Sequence, residues 1–130
     1  MAKINPRSHI PIYLQIVDEI RTAVAAGVYL PGEAIPTLKA MSLEAHVNPN
    51  TVQKAYDELA REGVIYSQRG KGLFVAEKGK AAAQASARET VHRAFSEGVH
   101  SGRAAGMSVK EIRSVFAAAL GESSKKGTEA

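Results

Sequence analysis

Between Pro11 and Ala26, apolar Ile12, Ile16, Ile20, Ala23 and Val24 recur at steps of three and four, one stripe along a helix. Gln15, Asp18, Glu19, Arg21 and Thr22 fill the positions between and are expected on the solvent face. Pro11 suits the first turn, where a missing N–H costs nothing, and Gly27 suits the residue just past the end. Leu30-Pro31-Gly32-Glu33 reads as a type II turn. Ile35-Pro36-Thr37 then opens a second, short helix, with Thr37 as N-cap and Leu38, Met41 and Ala45 facing inward. A third helix starts at Asn48-Pro49, a cap followed by a proline at the first helical position. It buries Val52, Ala55, Tyr56 and Leu59 and stops at Gly63. Only Ala45-His46-Val47 separates helices two and three, the turn length of a helix-turn-helix. His46 falls where a left-handed backbone is wanted, which histidine tolerates better than most residues.

After Gly63 the period changes. Val64–Ser67 and Leu73–Ala76 are short and rich in β-formers, and Gln68-Arg69-Gly70-Lys71-Gly72 between them makes a basic, glycine-rich hairpin tip. Three helices followed by such a hairpin make a winged helix. A long helix is expected from about Ala81 to Ala105, with Val91, Phe95 and Val99 in one row, and with Gly98 and Gly102 leaving room for another helix to approach. Ser108 and Glu111 form a capping box that opens a last helix to Leu120, with Ile112, Val115, Phe116, Ala119 and Leu120 apolar. The fold class is therefore mainly α with a small β-hairpin. A winged helix-turn-helix over residues 8–76 is followed by a linker at 77–82, a two-helix region at 83–121 and a disordered tail at 122–130.

Apolar residues make up 45 % of the chain, there is no cysteine, and no apolar run approaches the roughly 20 residues of a membrane span. With no signal-peptide pattern after Met1, this favours a soluble cytoplasmic protein and rules out disulfides and thiolate metal sites. The net charge of +4 does not by itself argue for nucleic acid. Through Glu77 the bases and acids balance, so a DNA-binding reading depends on where the charges sit.

They sit well. A helix-turn-helix places its second helix in the major groove, amino-terminal residues foremost. Here those residues are Asn48, Asn50, Thr51, Gln53 and Lys54. Asparagine and glutamine can bond bidentately to adenine, and lysine reaches guanine. Thr51 and the free N–H groups of the helix start suit a phosphate. Lys39, in the first turn of helix two beside Thr37, is placed for a backbone phosphate. Arg69 and Lys71, with Gly70 between them, can reach a narrow minor groove.

Pro11-Ile-Tyr-Leu-Gln-Ile, Gly27-Val-Tyr-Leu-Pro-Gly, Ile35-Pro-Thr-Leu-Lys, Val47-Asn-Pro-Asn-Thr-Val, Ala55-Tyr-Asp-Glu-Leu, Glu62-Gly-Val-Ile and Arg69-Gly-Lys-Gly-Leu-Phe-Val together resemble the GntR family of bacterial regulators, and the short carboxy-terminal part resembles its YtrA subfamily. The resemblance covers nearly all of residues 10–76. It implies a homodimer on an inverted-repeat operator in double-stranded DNA, and contacts from Lys39, Asn48, Asn50, Thr51, Gln53, Arg69 and Gly70. Many members have arginine at the Lys39, Pro49 and Gln53 positions, so their operator sequences do not transfer. The acid often found at Ala40 is missing, which removes the capping box of helix two.

Two carboxy-terminal helices are too few to enclose a ligand, yet they carry Val91, Phe95, Val99, Met107, Ile112, Val115, Phe116 and Leu120. These residues are expected to form the dimer interface, and any small-molecule effector would bind there. The function expected is a homodimeric transcription repressor. The alternative is a winged helix for protein contact, which acidic Asp57, Glu58 and Glu62 on helix three would favour. His92 and His100 with Glu89 and Glu97 are the one grouping of metal-ligand types, and solvated side chains are their expected state. No nucleophile–base pair or phosphate loop is present, so neither catalysis nor a cofactor is expected.

Overall fold

A computed structural model describes residues 4–126, with side chains through residue 123. In order these form α1 (Ile12–Ala25), α2 (Leu38–Ala45), α3 (Pro49–Arg61), β1 (Ile65–Gln68), β2 (Gly72–Val75), α4 (Gly79–Ala104) and α5 (Val109–Lys126). They divide into two compact units, Met1–Arg88 and Glu89–Ala130. The first reaches past the boundary expected at residue 76.

In the first unit, Ile16, Val17, Ile20 and Val24 of α1 pack with Met41 of α2 and Val52, Ala55, Tyr56 and Leu59 of α3, all essentially inaccessible. Each of the larger aliphatic side chains among them contributes about 1.5–3 kcal/mol by leaving water. Pro11 caps α1 rather than entering its first turn, and its carbonyl accepts from the N–H groups of Leu14 and Gln15. At the other end Gly27 has φ 81°; its N–H donates to the Val24 carbonyl and the Val28 N–H to that of Ala23, closing the helix with the left-handed residue a glycine supplies.

Arg21 departs from expectation. It is buried, not part of the solvent face. Its guanidinium donates to Glu62 just past α3, at 2.8 Å to one carboxylate oxygen and 3.0 Å to the other, and to Asp18 at 2.9 Å. The Ser86 hydroxyl of α4 donates to Glu62 at 3.0 Å. A charge can leave water only with partners, and none of these partners lies in Arg21's own sequence pattern except Asp18.

The hairpin pairs Ile65 with Val75, Tyr66 with Phe74, Ser67 with Leu73 and Gln68 with Gly72. Between the turn at Leu30–Glu33 and α2, the chain also forms an isolated bridge to the hairpin. The Ile35 N–H donates to the Leu73 carbonyl and the Val75 N–H to that of Glu33, around a bridge between Ala34 and Phe74. The turn itself stands as expected, with Gly32 at φ 84° and the Glu33 N–H donating to the Leu30 carbonyl.

The expected linker at 77–82 is mostly helix. α4 already begins at Gly79, and Ala83 is fully buried in the winged-helix core. A Cβ on Gly79 would stand 2.5 Å from the Val64 carbonyl oxygen and 2.9 Å from a Val75 methyl. Backbone cannot yield as a side-chain tip does, so Gly79→Ala is expected to destabilise the fold by roughly 1–3 kcal/mol through overpacking. Thermal unfolding measures this, and a melting temperature equal to wild type would show that helix and hairpin separate without cost.

In the second unit, a Cβ on Gly102 would lie 3.0 Å from Ile112. The helix that approaches this glycine is thus the chain's own α5. Phe95 and Phe116 meet edge to face at 5.5 Å. Ser108 and Glu111 exchange the two hydrogen bonds of a capping box, which hold the Glu111 carboxyl below its usual range. α5 continues past Leu120 to Lys126, overrunning the tail expected at 122–130; residues 127–130 lie outside the described residues. Glu122, Lys125 and Lys126 have helix propensities close to alanine's, and the lone Gly121 does not stop the helix.

Candidate nucleic-acid interface

Helix two, the turn and helix three form as one device. The Thr37 hydroxyl accepts from the Ala40 N–H at 3.0 Å, so half of a capping box survives without an acid at position 40. His46 ends α2 in the left-handed region at φ 55°, ψ 49°, and the Val47 N–H returns to the Ser42 carbonyl. Asn48 then caps α3, its side-chain oxygen accepting from the Asn50 N–H at 2.7 Å. Its backbone carbonyl takes the N–H groups of Thr51 and Val52, and Pro49 has none to give. The helix start therefore does not offer the free N–H groups expected for a phosphate. Any contact there comes from side chains.

Those side chains divide cleanly. Val52, Ala55, Tyr56 and Leu59 are buried, while Asn48, Asn50, Gln53, Lys54 and Asp57 are exposed and Thr51 half-buried. The Tyr56 hydroxyl donates to the Pro36 carbonyl at 2.8 Å and ties α3 to the entry of α2. Burial pushes this phenol well above its usual range, and the Tyr29 and Glu44 charges add to the shift. Two exposed members have internal partners that sequence reading missed. The Lys54 ammonium lies 4.1 Å from the centre of the Tyr13 ring on α1, a cation–π contact. The Gln53 amide donates to Asp57 at 2.7 Å. The four-residue spacing was the available signal for the second; nothing in the sequence joins Lys54 to a ring 41 positions earlier.

Lys39 is exposed on the first turn of α2. Arg69, Gly70 and Lys71 form the three-residue connection between β1 and β2, all exposed, with Gly70 at φ 78°. Behind the tip, Tyr66 and Phe74 stack at 5.8 Å across the strands.

The acids of helix three are all engaged at home. Asp57 takes Gln53, Glu62 takes Arg21 and Ser86, and Glu58 pairs with Arg61. The Arg61 hydrogen bond is the main reason the Glu58 carboxyl is held down to about 2. Its contribution to stability is present above the ordinary carboxylate range and is lost as pH falls toward that value. Among the described residues no group of three or more His, Cys, Asp or Glu could hold a metal ion, and no helix is long and apolar enough to cross a membrane.

Residues 12–75 match the family described as bacterial regulatory proteins, gntR family. YtrA from Sulfolobus acidocaldarius, a GntR-family transcription factor, superposes with a TM-score of 0.59 at 33 % identity, covering 73 % of this chain and 97 % of that one. The chain belongs to the GntR family. Its YtrA-like character appears again in the HTH-type transcriptional repressor YtrA of Bacillus subtilis (strain 168), 41 % identical over 80 residues. That match spans 62 % of this chain and 62 % of the repressor, less than two thirds of its length. The GntR winged helix also resembles the DNA-binding domain of AraR, solved in complex with operator ORR3, at a TM-score of 0.52 and 32 % identity over 58 % of this chain and 92 % of that one.

Proposed function

We propose that the chain is a homodimeric, cytoplasmic transcription repressor that occupies an inverted-repeat operator. The observation that carries this reading is the amino-terminal face of α3. It is acid-free as far as Gln53 and exposes Asn48, Asn50 and Gln53 directly behind the left-handed His46 turn. Asn50 and Gln53 read bases, with Lys54 at their side. Lys39 and the Thr37 and Thr51 hydroxyls meet phosphates, and Arg69, Gly70 and Lys71 follow the flanking groove. The solved AraR domain–operator complex supports the docking mode, and the YtrA repressor supports the regulatory sense. The reading of this winged helix as a protein-contact module loses its footing, because the acids that favoured it are each paired within the chain.

The dimer rests on the second unit. Val91, Phe95, Val99, Val115, Phe116 and Leu120 are each about half exposed or more, from 47 % to 58 %, while Met107 and Ile112 are partly covered within the unit. Six large apolar side chains left this exposed on two helices are the surface that a second copy would bury.

Selection from a random duplex pool, followed by fluorescence-anisotropy titration at several salt concentrations, tests the function. A preferred inverted repeat bound by two subunits is expected. Asn50→Ala is expected to lose about 1–3 kcal/mol of discrimination at one base pair per half-site. Lys39→Ala is expected to weaken all duplexes alike and to lower the salt slope by about one. If Lys39→Ala changed base preference instead, its assignment to phosphate would be wrong. Equal weak binding to every duplex would overturn the operator reading.

A further inference from the structure

On the exposed face of α3, Asp57 stands one turn after Gln53 and accepts a hydrogen bond from its amide nitrogen at 2.7 Å. An acid facing outward on a recognition helix is costly for DNA binding, since it opposes the phosphates it approaches. Asp57 is nevertheless engaged with Gln53, and the chemistry of the pair suggests what it does there. A glutamine amide carries an acceptor oxygen and a donor nitrogen that can exchange places by a half-turn. An aspartate carboxylate offers only acceptors. Asp57 can therefore bind Gln53 in one sense alone, nitrogen inward. This leaves outward the amide oxygen and the second N–H.

We infer that Asp57 is a positioning residue for base readout: it locks the Gln53 amide in the orientation that accepts from the N6 amino group of adenine and donates to its N7. The inference rests on α3 being the base-reading helix. The lock acts in two ways. It excludes the flipped amide, and it holds a side chain rich in rotamers before DNA arrives, so less freedom is lost on binding. Both partners are exposed and belong to one helix, so replacing either leaves the core untouched.

The test uses the full chain and the duplex selected from the random pool, together with its single-base-pair variants. Wild type, Asp57→Ala, Gln53→Ala and the double variant are titrated on each. Asp57→Ala is expected to bind most duplexes more tightly, because a repelling charge has gone. At the base pair read by Gln53 it is expected to lose roughly tenfold in discrimination, a loss within the range a bidentate contact provides. In the Gln53→Ala background, removing Asp57 is expected to change discrimination there no further, because its effect runs through the glutamine. Asp57→Glu, which is also acceptor-only, tests rescue and is expected to restore part of the preference. If Asp57→Ala tightens every duplex equally and leaves discrimination intact, Asp57 acts through its charge alone and the inference fails while the operator reading stands. If wild type selects no duplex at all, the operator reading itself falls and this inference with it.

Discussion

Arg21→Ala is expected to cost about 3–5 kcal/mol of folding free energy, the usual penalty for removing one partner of a buried ion pair. The guanidinium is 10 % and the Glu62 carboxylate 12 % exposed, so the charge left behind cannot recover its hydration. The loss falls on a junction. Arg21 belongs to α1, Glu62 caps the end of α3, and Ser86 lies on α4, so one substitution loosens three helices. Against a typical total of 5–15 kcal/mol, much of the chain would unfold at moderate urea. The measurement is the urea midpoint by circular dichroism, at fixed protomer concentration because association shifts apparent stability. Replacing both partners by apolar residues, Arg21→Met with Glu62→Leu, is expected to recover most of the loss, since no unpaired charge then remains. A single-variant loss below about 1 kcal/mol would place this pair with ordinary surface ion pairs.

Val115→Glu combined with Leu120→Glu is expected to convert the proposed dimer to a monomer. Both side chains are 58 % exposed in the single chain, so the charges disturb little of its own packing, yet they would have to be buried without partners against a second copy. Linking two half-site contacts raises apparent affinity by about 10²–10⁴-fold. The variant is expected to lose a factor of that order on an inverted repeat while binding an isolated half-site as wild type does. Light scattering reads the mass and anisotropy reads the affinity. A dimer that survives both charges would move the interface elsewhere.

Much of the winged helix is legible along the chain because its determinants are local. A step of three and four sorts the faces of α1 and α3; Thr37 and Asn48 cap the turns that follow them; His46 accepts the left-handed link; glycines and bases mark the wing. Each is an interaction between near neighbours, and each reappears in the structure. The exposed polar positions of α3 follow from the same periodicity, so the residues proposed to read DNA could be named before any coordinates.

What tertiary structure alone decided lies in groups distant along the chain. Arg21 reads as surface by its spacing, and only the approach of Glu62 and Ser86 makes its burial bearable. Ala34 bridges to Phe74 because β2 offers it an edge, a pairing that no local pattern encodes. Gly79 looks like linker by composition and Ala83 like the start of the carboxy-terminal helices, yet their small size lets α4 pack on the winged-helix core. Lys54 turns to Tyr13 for the same kind of reason. Sequence periodicity determined which face of each element is apolar. Which charges could be buried, and which small residues mattered, was decided by what the fold brought opposite them.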